Sequence, residues 1–565
     1  MNGIRLGPQL IWLLLVAVLL TGITSAAITQ IQATYLQRFP LYYDSVSYQF
    51  NNARLSVRVA REGRLSVAAD EWLHNARSPL RTAPVVLLAP GMLTLPVGHM
   101  ATVIPVLLAF LGLLGWTVYR RTDSPLYAIG AMGLFCGIPG VFFTTSGLGA
   151  FWLDQPAALL AASAVLCLLN SAQGRDLRWL AGFACFAALT ALSRYVAAVY
   201  LFVVCAPLLA VFLAARGVRE RGIVRPVLVP ILVIAAVVGA LAGYFLVAHF
   251  ARNSYFYSNY GYALNGGVRA SWAFVEYYLT NLLSGAVGLL LLSTLLIYIV
   301  QHRGELRARL GELLASLWIA GGLLAYIVVV QQVTLAVHPL WYLLPLLLIA
   351  AVTPFTISRP NQQGRRTLDL MGTLMLGAGV ALGVQTYNQQ LLFASQPSEA
   401  VQQYKYLDIE LGKALDAIGQ PVVWNTYFDE YTPIPTMEAF YRSGKLHLPA
   451  GQVFFNAHET AWRADYPGLS AEQISQLVYA ATRRYVDVAV VFSDPATAMS
   501  APQLDNDVSR AVAQHVASSI RDDAGWTLVR TFDETPFGGL AVYKNSASNG
   551  AAYEAVLRDD GSVRP

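Results

Sequence analysis

Along most of the chain, apolar residues come in long runs separated by short polar loops. Each run is about 17–25 residues, enough for a helix to cross a ~30 Å hydrocarbon layer. The runs fall near 9–28, 100–119, 126–144, 155–170, 179–193, 195–215, 227–249, 281–301, 317–336, 340–357 and 369–388. They predict eleven transmembrane helices. Beyond residue 388 the pattern changes to short alternating elements. Helices are expected at 400–418, 471–484 and 508–522, and strands at 421–424, 486–492, 526–532 and 540–544. That alternation predicts a small α/β domain.

Between the first and second runs lies a loop, 29–83, long enough to be functional. Within it Val46, Phe50, Ala53, Val57 and Ala60 recur at the spacing of one helix face, while Arg54, Arg58 and Arg61 fall on another. Such a helix belongs in the membrane interface with its arginines near lipid phosphates. Arg77 and Arg81 then precede Ala83–Gly98, an apolar run broken by proline and glycine that reads as a re-entrant segment. The first apolar run follows Arg5 and ends in Thr24-Ser25-Ala26-Ala27, which could pass as a cleavage site. With so many spans behind it, a retained helix is the expectation.

Composition sharpens this picture. The 565 residues are 56% hydrophobic and 13% charged, with a mean hydropathy of +0.50. Soluble domains average about 25% charged residues. Of the 33 acidic residues, 12 precede residue 389 and 21 follow it, and all four lysines follow it too. The fold class expected is therefore an α-helical polytopic membrane protein, residues 1–388, with a C-terminal soluble α/β domain, 389–565. The net charge of +5 gives no reason to expect nucleic acid. Cys136, Cys167, Cys185 and Cys205 all sit in apolar runs, so neither a disulfide framework nor a thiolate metal site is expected. Arginines crowd alternate loops at 120–121, 175–178, 216–225, 303–309 and 359–366, whereas the loops between them hold only Arg194, Arg252 and Arg269. The positive-inside bias then places the N-terminus in the cytoplasm and the tail outside a plasma membrane, periplasmic if the source is bacterial.

The chemistry-bearing residues cluster on the outer side. Asp44, in Tyr43-Asp44-Ser45-Val46-Ser47-Tyr48, is the first acidic residue and a candidate general base; its plainer reading is a helix cap. Asp154 sits where a helix enters lipid, with Pro156 in the first turn. It could cap that helix or face a cavity, since acids at membrane depth are costly. Arg252, Tyr255 and Tyr257 combine a phosphate-binding cation with sugar-stacking aromatics, although an interfacial aromatic belt accounts for most such tyrosines. His338 and Tyr342 open the tenth span, in His338-Pro339-Leu340-Trp341-Tyr342. Asp429-Glu430 reads as a solvated acidic pair. The chain has no G-x-G-x-x-G, P-loop or G-x-S-x-G motif.

Together with Ser78-Pro79-Leu80, the segments around Asp44, Asp154 and His338 make residues 1–388 resemble the GT-C glycosyltransferases that use polyprenyl-phosphate sugars, near the protein mannosyltransferase and aminoarabinose transferase branches. The resemblance implies an inverting transferase. Asp44 would take the acceptor's proton, Asp154 would orient the acceptor or an auxiliary metal, and Arg252, His338 and more weakly Arg58 would hold the phosphate. Its implied partners are a polyprenyl-phosphate-linked sugar and an envelope lipid, glycan or protein acceptor. No cofactor is required; a divalent metal at Asp44 and Asp154 is the one these carboxylates would accommodate. Ser45 follows Asp44 where many relatives have a second acid, which weakens that metal. His338 and Tyr342 stand where relatives often have Arg-Tyr. The alternatives are a transporter, which should show internal repeats and broken helices, and a polysaccharide polymerase or ligase.

Overall fold

The structure, a computed structural model, describes residues 8–39, 44–75, 78–95, 97–144, 147–150, 153–172, 174–260, 276, 283–301, 303–326, 337–357, 362–399, 401–402, 406, 410–411, 413–414, 423–425, 453–454, 468–497, 507–533 and 539–547. Side chains in 250–260 and in several shorter stretches lie outside this description, as do 427–452, which hold Asp429 and Glu430. The chain divides into two compact units. The first is Met1–Ala33, Arg64–Met92 and Val97–Leu392; the second is Thr34–Gly63, Leu93–Pro96 and Phe393–Pro565.

Helices stand at the predicted apolar runs, except that the run expected at 317–336 gives a helix starting at Leu306, with 327–336 outside the described residues. They are α1 (Pro8–Arg38), α5 (Met100–Thr122), α6 (Pro125–Gly137) with the short α7 (Pro139–Phe142), α8 (Asp154–Asn170), α9 (Leu177–Ser193), α10 (Tyr195–Glu220), α11 (Val229–Tyr260), α12 (Gly285–Gln301), α13 (Leu306–Ala325), α14 (Val337–Ile357) and α15 (Gln362–Ser395). Among the described residues, five helices are long and apolar enough to cross a membrane by length and composition alone. The third expected span is split because Ile138, extended ahead of Pro139, cannot continue the α6 helix. The polar loop yields α2 (Asp44–Glu62), α3 (Arg64–His74) and α4 (Pro79–Leu88). A single 3-10 turn, Pro90–Thr94, follows and breaks the expected re-entrant run.

Starts are chemically marked. Ser124 accepts a hydrogen bond from the Tyr127 N–H at the head of α6, with Pro125 at the first helical position. Asp176 accepts from the Arg178 N–H at the head of α9. In the first unit α8 is buried over its whole length and packs against α5, α9 and α14. Where α6 meets α15, the spacers are missing altogether. A Cβ added at Gly130 would run into the backbone of Gly372, and one at Gly137 into the backbone of Gly379. Small residues let membrane helices approach this closely. The Ser124 hydroxyl donates to Asp369 Oδ1 (2.5 Å) at the end of that seam.

The C-terminal part carries α16 (Ala471–Tyr485), α17 (Asp507–Asp522) and a five-stranded sheet ordered β2-β1-β3-β5-β4. Its strands are β1 (Val423–Asn425), β2 (Val453–Phe454), β3 (Val488–Phe492), β4 (Trp526–Phe532) and β5 (Leu540–Asn545). β1 pairs in parallel with β2 and β3, whereas β5 runs antiparallel to both β3 and β4. β3 is buried throughout, so its sequence is a continuous apolar run rather than an alternating one. Ile474, Val478, Val512, Val516 and Ile520 of the two helices close over the sheet. β4 is an exposed edge carrying a register shift between Leu528 and Arg530, a common way to blunt an edge. β2, only two residues long, has no sequence signal of its own.

A polar clamp closes this domain. Asp523 accepts from the Tyr479 hydroxyl (2.7 Å), the Arg483 Nε–H (2.5 Å) and the Gly525 N–H (2.7 Å), while Arg483 also donates to Asn545 Oδ1 (2.7 Å). The Tyr479 hydrogen bond, then the Gly525 amide and Arg483, hold the Asp523 carboxyl below the usual range. Burial and the Asp523 contact push the Tyr479 phenol up to about 12.

Candidate active site at one end of the membrane helices

Asp154 is the first residue of α8, where the positive end of the helix dipole favours an anion. It does not cap the helix. Leu153 holds that position and makes no side-chain cap bond. The carboxylate is fully buried, at 0% exposure. Its Oδ2 pairs with Arg194 Nη1 (2.8 Å), and the Tyr342 hydroxyl donates to Oδ1 (3.3 Å). Arg194 is the extended residue between α9 and α10, and Tyr342 lies just inside α14. The Tyr200 ring meets Tyr342 edge-on (5.0 Å between centroids) and also contacts Tyr326 (6.2 Å). A buried carboxylate persists only when paired and hydrogen-bonded, and this one is both.

The loop entering α8 is held from three helices. Gln32 of α1 donates to the Thr144 carbonyl (2.7 Å), and the Thr144 N–H donates to Gln390 Oε1 of α15 (3.2 Å). His99, at the head of α5, reaches the Gly149 carbonyl through Nε2 (2.6 Å). Because a carbonyl only accepts, Nε2 must carry the proton. Gly149 has no room for a side chain, since a Cβ there would stand 2.5 Å from Ile28 and 2.7 Å from Gln32.

A second polar knot joins α3 to α4. Thr82 and Asn75 both donate to the buried Glu71 Oε2 (2.7 and 2.9 Å), and Asn75 Oδ1 accepts from the Ser78 N–H (3.0 Å). His249 of α11 donates to the Leu73 carbonyl (3.1 Å).

Of the residues expected from the sequence, the structure brings Asp154 and Tyr342 into direct contact. Asp44 begins α2, with its side chain outside the described residues; so are the side chains of Arg252, Tyr255, Tyr257 and His338, although all four lie on helices α11 and α14. Arg58 forms a bidentate pair with Glu62 one turn on (3.0 and 2.9 Å). Arg194 and Tyr200 were not anticipated. Arg194 did carry a signal: it is a lone arginine between two apolar runs, in a loop the positive-inside pattern leaves nearly bare. Among the described residues no three His, Cys, Asp or Glu side chains gather as a metal site. Both Asp154 oxygens are engaged, one by a guanidinium and one by a phenol hydroxyl.

No sequence-family model and no curated protein sequence matches the chain. Solved structures do. The chain matches the crystal structure of ArnT from Cupriavidus metallidurans bound to undecaprenyl phosphate, over 92% of this chain and 96% of that one, with a TM-score of 0.53 and 12% identity. The fold is GT-C-like. The match takes in the C-terminal part as well as the helices, so the GT-C-like fold is that of a polytopic membrane protein with a C-terminal domain.

Proposed function

We propose that this chain is an integral-membrane glycosyltransferase that moves a sugar from a polyprenyl-phosphate donor to an acceptor hydroxyl on the outer face of the plasma membrane. The observation that carries the reading is the buried Asp154–Arg194–Tyr342 cluster at helix ends in a GT-C-like fold. Charged groups at such depth are rare without a functional reason.

In this reading Asp44 accepts the proton of the acceptor hydroxyl as its oxygen attacks the anomeric carbon. The bond from that carbon to the phosphate oxygen breaks on the opposite face, inverting the centre. The electron pair leaves with the polyprenyl phosphate, whose charge Arg252 and His338 meet, with Arg58 a weaker candidate. Tyr255 and Tyr257 supply faces for the sugar. Asp154 orients the acceptor and holds Arg194 and Tyr342 in place. General-base help contributes roughly 10²–10⁴ in rate, and stabilisation of the leaving phosphate is the larger share in many such reactions.

The test is transfer from a polyprenyl-phosphate-sugar pool by the purified wild type and Asp44→Asn. A folded Asp44→Asn protein should lose transfer by on the order of 10²–10⁴. Undiminished transfer by that folded variant rejects Asp44 as base. Absence of transfer by the wild type from any polyprenyl-phosphate sugar rejects the donor class.

A further inference from the structure

The helix ends opposite the Asp154 cluster carry a basic surface that the transfer reaction does not use. Residues 216–228 connect α10 to α11 through a single π-helical turn, Val224–Leu228. They contain four arginines and one acid, Glu220, a net of +3. Glu220 is already committed: Arg216 Nε (3.0 Å) and Arg175 Nε (3.4 Å) both pair with it, and Arg216 also donates to the Gly174 carbonyl (2.6 Å). Neighbouring arginines at this end are likewise taken up by protein, Arg121 by the Leu169 carbonyl and Arg120 by the Trp179 ring. Arg219, Arg221 and Arg225 are different. All three are exposed, and among the described residues none has a side-chain hydrogen-bond or ion-pair partner.

Two of them stand where local structure disfavours them. Arg221 follows the last residue of α10 with φ +48°, the left-handed conformation that glycine adopts without strain and an arginine does not. Gly222, one place later, could have filled that role. Arg225 lies in the turn leading into the N-terminus of α11, the end of a helix dipole that repels cations. Beside them Val218 (81%), Ile223 (69%) and Val224 (65%) are among the most exposed large apolar residues of the chain. Cations interleaved with exposed aliphatic side chains, at the ends of two long apolar helices, match one ligand chemistry: phosphate over acyl chain.

We propose that the α10–α11 connection is a binding site for an anionic phospholipid headgroup. Arg219, Arg221 and Arg225 contact the phosphate, and Val218, Ile223 and Val224 rest on the upper acyl chains. The expected gain is about fivefold in affinity per arginine near an anionic surface, on the order of a hundredfold for three.

The experiment is lipid titration of the purified full chain by native mass spectrometry, with palmitoyl-oleoyl phosphatidylglycerol against the phosphatidylcholine of the same chains. The wild type should prefer the anionic lipid. The combination Arg219→Gln, Arg221→Gly, Arg225→Gln should weaken phosphatidylglycerol binding by on the order of a hundredfold while leaving phosphatidylcholine unchanged. Replacing all three by lysine should retain most of the preference. Arg221→Gly alone should weaken the anionic lipid about fivefold while the unfolding temperature stays level or rises; the opposed signs separate binding from folding. Equal affinity for the two lipids in the wild type overturns the proposal, as does an undiminished preference in the triple variant. Complete displacement of the lipid by millimolar inorganic phosphate also overturns it, because the site would then hold an anion rather than a lipid.

Discussion

At the scale of single residues, the central fact is a carboxylate with no exposure, balanced by one guanidinium and one phenol. Asp154→Asn replaces the fully buried carboxylate facing the partly buried Arg194 with a neutral amide and should cost ~3–5 kcal/mol in unfolding free energy, read by thermal denaturation in detergent. Asp154→Leu with Arg194→Met removes both charges, and its stability should return to within ~1–2 kcal/mol of wild type. Transfer by that double variant should stay down by about 10² or more. Recovery of transfer along with stability would show that the pair only holds the fold. A second residue-scale test lies in the C-terminal domain. Asp523, depressed, favours the folded state above its ordinary range near 3.8, and that contribution is lost as pH falls below it. Tyr479, raised, favours the folded state below its ordinary value of 10, and the benefit disappears as pH climbs from 10 to about 12. Tyr479→Phe should therefore flatten the alkaline arm of a stability-against-pH curve and weaken the acid arm. Such residues are hard to read in a sequence. The Asp154–Tyr342 contact joins positions 188 apart, and nothing local in either segment names the other.

At the scale of elements the sequence is far more telling, because the apolar runs and the helices obey the same constraint. Backbone groups in lipid must bond within their own helix, so a long apolar run has little choice of structure. The positions of α8, α9 and α14 follow from this, as does β3, whose unbroken apolar run Val488–Phe492 marks a strand covered on both faces. Packing partners do not follow. Gly130, Gly137, Gly372 and Gly379 look like ordinary membrane glycines until the α6–α15 seam shows what they admit. Gly137→Val should push the seam apart and cost ~1–3 kcal/mol or more, measured by thermal unfolding in detergent. The same change at Gly377, where a Cβ meets nothing within 4 Å, should be nearly silent.

At the scale of the whole molecule, the proposed orientation can be checked with thiol reagents. The native cysteines give little background, three being buried and Cys185 only partly exposed. Glu399 and Gly304 are both exposed. A membrane-impermeant maleimide should label Glu399→Cys in intact cells, and Gly304→Cys only after permeabilisation. The reverse result would invert the topology and move the proposed reaction to the other face.

The grip on Thr144 also has a bearing on biogenesis. Its carbonyl is held by a residue 112 positions earlier, and its amide by one 246 positions later. The loop ahead of Asp154 is thus held by a helix made well before it and by one made well after it. A nascent chain stalled between α14 and α15 would carry Asp154, Arg194 and Tyr342 in its sequence without the α15 half of the brace on the loop ahead of Asp154. The brace ahead of the cluster is thus complete only once α15 has been made.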